Sequence, residues 1–275
     1  MFKKIISIFI IFFTISCQTQ KDSKFNLGLL VLTLSNSNVQ VKPPLYSAFA
    51  NSVVAAPSQT GQGFKNANNA INGVRGGGCC SGSLDVYSLG ASVDTNYIIL
   101  EWKGKKVING HGIDFVVYEN PFQNGTNPNS VFMEQVIVEV SRDNVSYCGF
   151  SPKFNSLTPN VYSNNPNLWL RFAGRTPVLY NEDTNRLSEI ELFDLSKAGG
   201  DGFDLEELSA SNDFGIGCNQ VLRDEIVTFG FIYLRLSGAA FRINPDTGTY
   251  FVKDSGSFDG VPDIDGAAAR YLVDR

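Results

Sequence analysis

The stretch EQVIVEVSRDNVSY, residues 134–147, decides the fold. Val136, Val138 and Val140 alternate with Ile137 and Glu139, the period of two by which a strand sends successive side chains to opposite faces of a sheet. Asp143-Asn144 then stands between two strand-like runs, a hairpin signal. Working outward, NYIILEW (96–102), IDFVVYE (113–119), LWLRFA (168–173) and IVTFGFIYLRLS (226–237) are also rich in β-branched and aromatic residues. Ile232, Leu234 and Leu236 alternate with Tyr233 and Arg235, which predicts one buried and one wetter face. Polar loops such as ENPFQNGTNPNS (119–130) and SLTPNVYSNNPN (156–167) separate the runs. Helical periodicity is scarce; FKNANNAIN (64–72) and a turn within LSKAGGDGFDLEEL (195–208) are the candidates. Many short strands with turn signals between them predict an all-β fold, an antiparallel β-sandwich with long polar loops and few short helices.

The chain opens MFKKIISIFIIFFTISCQTQ. Lys3 and Lys4 precede an apolar run from Ile5 to Ile15, shorter than the ~20 residues of a spanning helix, and Ser16 precedes Cys17. This is the pattern of a secretory signal peptide. Thr14-Ile15-Ser16-Cys17 resembles a bacterial lipobox in the relaxed form of spirochaetal lipoproteins, with Thr14 where Leu is usual. The resemblance implies cleavage before Cys17 and acylation of its thiol; the alternative is an ordinary secreted chain with a chance cysteine. The expected organisation is a lipoprotein signal peptide (1–16), a lipidated tether (17–44) closed by Pro43-Pro44, and a single sandwich domain (45–275). The expected location is the cell envelope, lipid-anchored at the outer membrane or cell surface.

The whole chain carries 22 basic and 27 acidic residues, a net charge of −5, and loss of Lys3 and Lys4 with the signal peptide takes this to −7. An acidic chain without a basic cluster argues against nucleic acid and against electrostatic docking on anionic lipid. Cys79, Cys80, Cys148 and Cys218 remain beside Cys17, and an even count in an exported chain suggests two disulfides. Because a Cys79–Cys80 bond would close a strained ring, Cys79 and Cys80 are each expected to reach one of Cys148 and Cys218. His111, the single histidine, sits in the glycine-flanked turn INGHGIDF (108–115). With no C-x-x-C or H-x-x-x-H in the sequence, zinc and Cys/His catalysis find little support. No G-x-S-x-G occurs, and RGGGCC (75–80) lacks the Gly-Lys-Ser/Thr of a phosphate loop.

Several motifs stand in a recurring order: ANSVVAAPSQTGQGFKNANNAINGVRGGG (50–78), GSLDVYSLG (82–90), IILEW (98–102), VINGHGIDFVVYENPF (107–122), the hairpin quoted above, LWLRFAGRTP (168–177), GGDGFDLEEL (199–208), FIYLRLSG (231–238) and DIDGAAARYL (263–272). The series resembles a family of bacterial cell-surface proteins and lipoproteins, spirochaetal ones included, built on a jelly-roll domain. NAINGVRG is similar to the N-terminal turn of galactose-binding-like sandwiches. The resemblance covers residues 48–272 and implies a jelly-roll, galactose-binding-like sandwich. The chain departs from the pattern in Asn144, where a glycine is usual, and in the Cys79-Cys80 pair.

Acids in glycine-rich loops form the candidate metal set. Asp259, Asp263 and Asp265 in FDGVPDIDGAA (258–268) come first, and Asp201 and Asp204 in AGGDGFDLEE (198–207) second. Ca2+ takes six to eight oxygens on a backbone that turns sharply. The alternative is plain turn chemistry, with these acids at strand ends and Asx-turns facing water. Asp114 and Glu119 flank a strand, as rim ligands or as strand-end polar residues. Paired acids also raise glycoside hydrolysis, but no motif fixes a pair. The expectation is a binding module rather than an enzyme, taking a carbohydrate, a glycoprotein or a host or matrix protein, with calcium assisting. An envelope structural or assembly component is the alternative, and a glycoside hydrolase the third reading. Trp102 and Trp169 read as core residues or as stacking surfaces for a sugar.

Overall fold

The computed structural model describes residues 48–77, 84–211, 215–254 and 260–275. Every described residue belongs to one compact unit within 42–275. The segments expected to be signal peptide (1–16) and tether (17–44), with Cys17, Cys79, Cys80 and Asp259, lie outside the described residues.

Fifteen antiparallel strands are described. A five-stranded sheet runs in the order β1 (Ser52–Ala55), β3 (Tyr97–Glu101), β13 (Tyr233–Gly238), β8 (Val136–Ser141) and β9 (Tyr147–Gly149). A four-stranded sheet runs β12 (Asp201–Phe203), β5 (Phe115–Glu119), β14 (Asp263–Ala269) and β2 (Tyr87–Ser88). Three short ribbons pair β4 (Lys105–Val107) with β15 (Leu272–Asp274), β6 (Phe122–Gln123) with β7 (Val131–Phe132), and β10 (Lys153–Phe154) with β11 (Trp169–Leu170).

The alternation read in the sequence sets the sandwich. Val136, Val138 and Val140, with Ile98, Leu100, Leu234 and Leu236, turn inward from the five-stranded sheet. They meet Phe115, Val117, Phe203, Ile264, Ala267 and Ala269 of the other sheet in one shared core. At about 25 cal/mol per Å2 of apolar surface, each Val, Leu, Ile or Phe among them contributes about 1.5–3 kcal/mol against leaving it in water. The outer face of β5, Val116 and Tyr118, is covered in turn by Val178, Tyr180 and Leu192. Burial on both faces is why DFVVYE reads as a nearly unbroken apolar run. A third cluster packs Ile137 with Trp169, Phe172 and Phe154, and the Phe154 and Trp169 rings stack at 4.0 Å. Both tryptophans are core, Trp102 and Trp169 being fully buried.

The hairpin between β8 and β9 forms as expected. Asn144 takes φ 63°, which Asn tolerates better than most residues, so it fills the usual glycine place. Asp143 Oδ1 accepts from Val145 N at 2.9 Å and Ser146 N at 2.8 Å.

Three expectations are corrected. IVTFGFIYLRLS is not one strand, because residues 226–229 end a helix, α2 (Gln220–Phe229). Asn219 caps it by accepting Leu222 N at 2.9 Å, and Ile226 is buried while Leu222 and Val227 pack on the core. Gly230 (φ 79°) stops the helix where a Cβ would lie 2.2 Å from Val107 O. LWLRFA holds only two strand residues, since Arg171 takes φ 60° and turns the chain. Finally, Cys148 bonds Cys218, with Cα atoms 4.8 Å apart, so neither is open to Cys79 or Cys80. The loop before α2 folds against β9: Ser209 N donates to Gly149 O at 2.9 Å and Cys218 N to Ser209 O at 3.2 Å, which sets the two sulfurs together. FKNANNAIN forms two 3-10 turns, Gly63–Lys65 and Ala67–Ala70. The turn in LSKAGG is α1 (Leu195–Ala198).

Candidate binding cleft

The outward face of the five-stranded sheet carries the polar alternates of its strands. Arg235 and Ser237 point out from β13 and Glu139 from β8, and the strand register sets Arg235 directly opposite Glu139. Cross-strand opposite charges at such a pair attract. Here the contact is bidentate: Arg235 Nε donates to Glu139 Oε2 at 2.9 Å and Nη2 to Oε1 at 2.8 Å.

The turn after β13 brings a second guanidinium to the same carboxylate. Arg242 Nη1 donates to Oε2 at 2.6 Å and Nη2 to Oε1 at 3.1 Å. Arg242 is itself fixed by bonds to Ser237 Oγ at 3.0 Å and Gly215 O at 2.9 Å. Arg235 also lies over the Tyr147 ring, 3.9 Å from its centroid, a cation–π contact. Burial pulls the Glu139 carboxyl upward. The hydrogen bonds and charges of Arg242 and Arg235 outweigh it and hold Glu139 below its usual range. The floor is therefore an Arg–Glu–Arg array with one excess positive charge.

Beside this floor opens a cleft of about 470 Å3, lined by Asp94, Asn96, Tyr97, Arg235, Phe241 and Arg242 among others. Asn96 is buried and pinned, its Oδ1 accepting from Gly238 N at 2.6 Å and its amide donating to Gly90 O at 2.5 Å. Rigid donors, one free acid and flanking rings on a sheet face can hold a polar ligand with apolar patches.

The acids chosen from the sequence lie elsewhere. Asp201 is 2% exposed in β12 and is committed: it accepts from Arg175 N at 2.9 Å and Thr176 Oγ1 at 2.9 Å and pairs with Arg175 Nη2 at 3.2 Å. Asp204 caps a 3-10 turn through Glu206 N at 2.9 Å. Asp263 begins β14, bonded to Ser88 Oγ, while its own N donates to Glu119 Oε1 at 3.1 Å. Asp265 is fully buried beside the bulge of the same strand. Among the described residues no group of three or more His, Cys, Asp or Glu is placed to hold a metal ion. Asp114 and Glu119 are interior residues, 0% and 3% exposed, rather than rim residues. Burial lifts Asp114 to about 6, against the backbone N–H bonds from Leu205 and Gly110 that favour its anion. His111 is an exposed turn residue whose carbonyl accepts from Tyr271 Oη at 2.9 Å.

The sequence missed the cleft because its parts come from positions 94–97, 139 and 235–242. The one available signal was Glu139, a lone charge inside an otherwise apolar strand. A scan against protein-family models, a search of curated proteins and a search of solved structures each returned no match.

Proposed function

We propose that this chain is a lipid-anchored protein of the bacterial cell envelope, of the jelly-roll surface-lipoprotein kind it resembles. Its sandwich domain binds a carbohydrate on the open face of the five-stranded sheet. The cleft over the Arg–Glu–Arg floor is the observation that carries the ligand reading. Sugars present hydroxyl rims and apolar C–H faces, which suit fixed N–H donors beside the rings of Tyr97 and Phe241. Asp94 in the cleft lining offsets the floor's single excess positive charge, which favours a neutral, hydroxyl-rich saccharide.

A glycan array probed with the full chain tests this. Binding is expected to concentrate on neutral saccharides. Tyr97→Ala, which leaves the arginine floor intact, is expected to weaken it about fivefold, on the scale of one lost stacking contact of ~1 kcal/mol. An array silent with and without calcium would sink the reading.

A further inference from the structure

Two long segments of this chain carry no charge. Residues 120–133 (NPFQNGTNPNSVFM) and 154–170 (FNSLTPNVYSNNPNLWL) hold none of its 22 basic and 27 acidic residues, although 18% of the chain is charged. Surface charge keeps copies of a protein apart in solution, so its absence from two exposed loops asks for a cause.

The fold joins the two segments into one layer. Val131 N donates to Asn164 O at 2.9 Å, Asn164 Nδ2 to Ser130 Oγ at 2.8 Å and Asn167 Nδ2 to Asn129 Oδ1 at 3.0 Å. Tyr162 Oη donates to Met133 O at 3.1 Å. Beneath these bonds Val131, Met133, Phe154 and Trp169 share an apolar cluster. Within each loop an Asx-turn stiffens the backbone: Asn127 Oδ1 accepts from Asn129 N at 3.0 Å and Asn165 Oδ1 from Asn167 N at 3.1 Å.

The exposed side chains of the layer are apolar groups and amides. Phe122 and Phe132 stand directly opposite each other in the β6–β7 ribbon, their ring centroids 4.8 Å apart, and are 44% and 41% exposed. Leu157 and Val161 are also exposed, as are Asn124, Asn155 and Asn160. A single exposed apolar residue needs no explanation, but a pair of touching rings on an uncharged layer marks an interaction face.

The chemistry of this face selects its partner. A primary amide carries two donors and an acceptor, so it is its own complement, as an aromatic or aliphatic face is; a carboxylate or an ammonium is not. A two-fold contact between identical chains requires such self-complementarity. Copies of a chain with a net charge of −5 repel through their charged surfaces and repel least where charge is missing. A charged partner finds no counter-charge here, and the hydrocarbon of a bilayer would strip the amides of their hydrogen bonds. Eleven residues of the first segment and fifteen of the second are not buried, a supply that matches the ~20–30 residues a side of a stable interface. Because the loops are already fastened to each other, pairing costs little further ordering.

We propose that residues 120–133 and 154–170 form a self-pairing face, on which a second copy of this chain docks about a two-fold axis. Glu134, Lys153 and Arg171 flank the two segments in sequence and supply a polar rim of the kind interfaces carry. On the proposed binding reading a dimer presents two clefts, and linked sites gain avidity without new contacts; the pairing itself does not rest on that reading.

Sedimentation equilibrium of the full chain, in detergent matched to the solvent density, tests the pairing. The particle is expected to hold two chains, with a dissociation constant on the order of 10⁻⁶ M, the weak end of the range for interfaces of this size. Phe132→Asp sets two acids against each other across the axis and is expected to weaken pairing about a hundredfold. Asn129→Asp keeps the acceptor that Asn167 uses and adds only charge; about tenfold weakening is expected, so the outcome does not hang on one variant's folding. Val221→Asp, at an exposed position of α2, is expected to pair like wild type. Raising NaCl to about 0.5 M should leave the pairing unchanged or tighten it, since salt screens only the repulsion between the two bodies. A wild type that stays monomeric at about 100 μM would overturn the proposal. So would a dimer that both loop substitutions leave intact, or one that salt dissociates.

Discussion

Glu139 takes four N–H bonds from two guanidinium groups while only 1% exposed. Arg235 and Arg242 keep 27% and 20% of their side-chain surface in water, so the acid carries most of the desolvation. Breaking one partner out of a buried ion pair costs about 3–5 kcal/mol, because the remaining charge stays unpaired. Glu139→Gln preserves shape and removes the charge, so we expect a loss of about that size at pH 7 in urea unfolding. The folded-state pKa of Glu139 is depressed below its unfolded value. Its contribution is therefore present above the unfolded pKa, near 4.5, and is lost as pH falls through the folded value. The gap between wild type and Glu139→Gln should narrow below about pH 4; a gap that stays constant with pH would show that charge is not what Glu139 supplies. Asn144 and Glu139 lie in the same quoted stretch and differ in legibility. A turn conformation is local, so Asn144 could be read directly. The burial of Glu139 depends on arginines 96 and 103 positions away, and nothing near it in the chain announces them.

The Cys148–Cys218 bond ties β9, an edge strand, to the residue before the cap of α2. It spans 70 positions, and the chain-entropy relation assigns a loop of that length about 4 kcal/mol, with the mechanism disputed. Replacing both cysteines by alanine is expected to lower unfolding stability by roughly that amount and to free β9 and the start of α2 first. Hydrogen exchange should show protection lost there while β3 and β13 keep theirs; uniform loss across the sheet would contradict a local role. The helix explains why IVTFGFIYLRLS misled. Val227, Thr228 and Phe229 favour strands, but the cap Asn219 and the core contacts of Leu222, Ile226 and Val227 decide the local structure. The real break is Gly230, where backbone approaches Val107 O too closely for any side chain. That approach is tertiary, and a pattern confined to the segment does not contain it.

For the molecule as a whole, the sandwich was legible because alternating residues on many strands all had to find one core. The cleft was not, because it is assembled from three separated segments. Location is a property of the same scale. The mature chain would carry a net charge of −7, so its surface repels anionic lipid. No helix among the described residues is long and apolar enough to cross a membrane. On the proposed reading, membrane residence then falls to acyl chains on Cys17, each buried CH2 contributing ~0.8 kcal/mol and two chains together holding firmly. Cells expressing the chain should incorporate labelled palmitate into it, and a 1 M salt wash should leave it in the membrane fraction while detergent extracts it. Cys17→Ala should carry no label and migrate as the longer, uncleaved precursor, because cleavage by the lipoprotein pathway requires the modified thiol. Salt release of the wild type would place its attachment in charge rather than lipid, and label retained by Cys17→Ala would move the acylation to another residue.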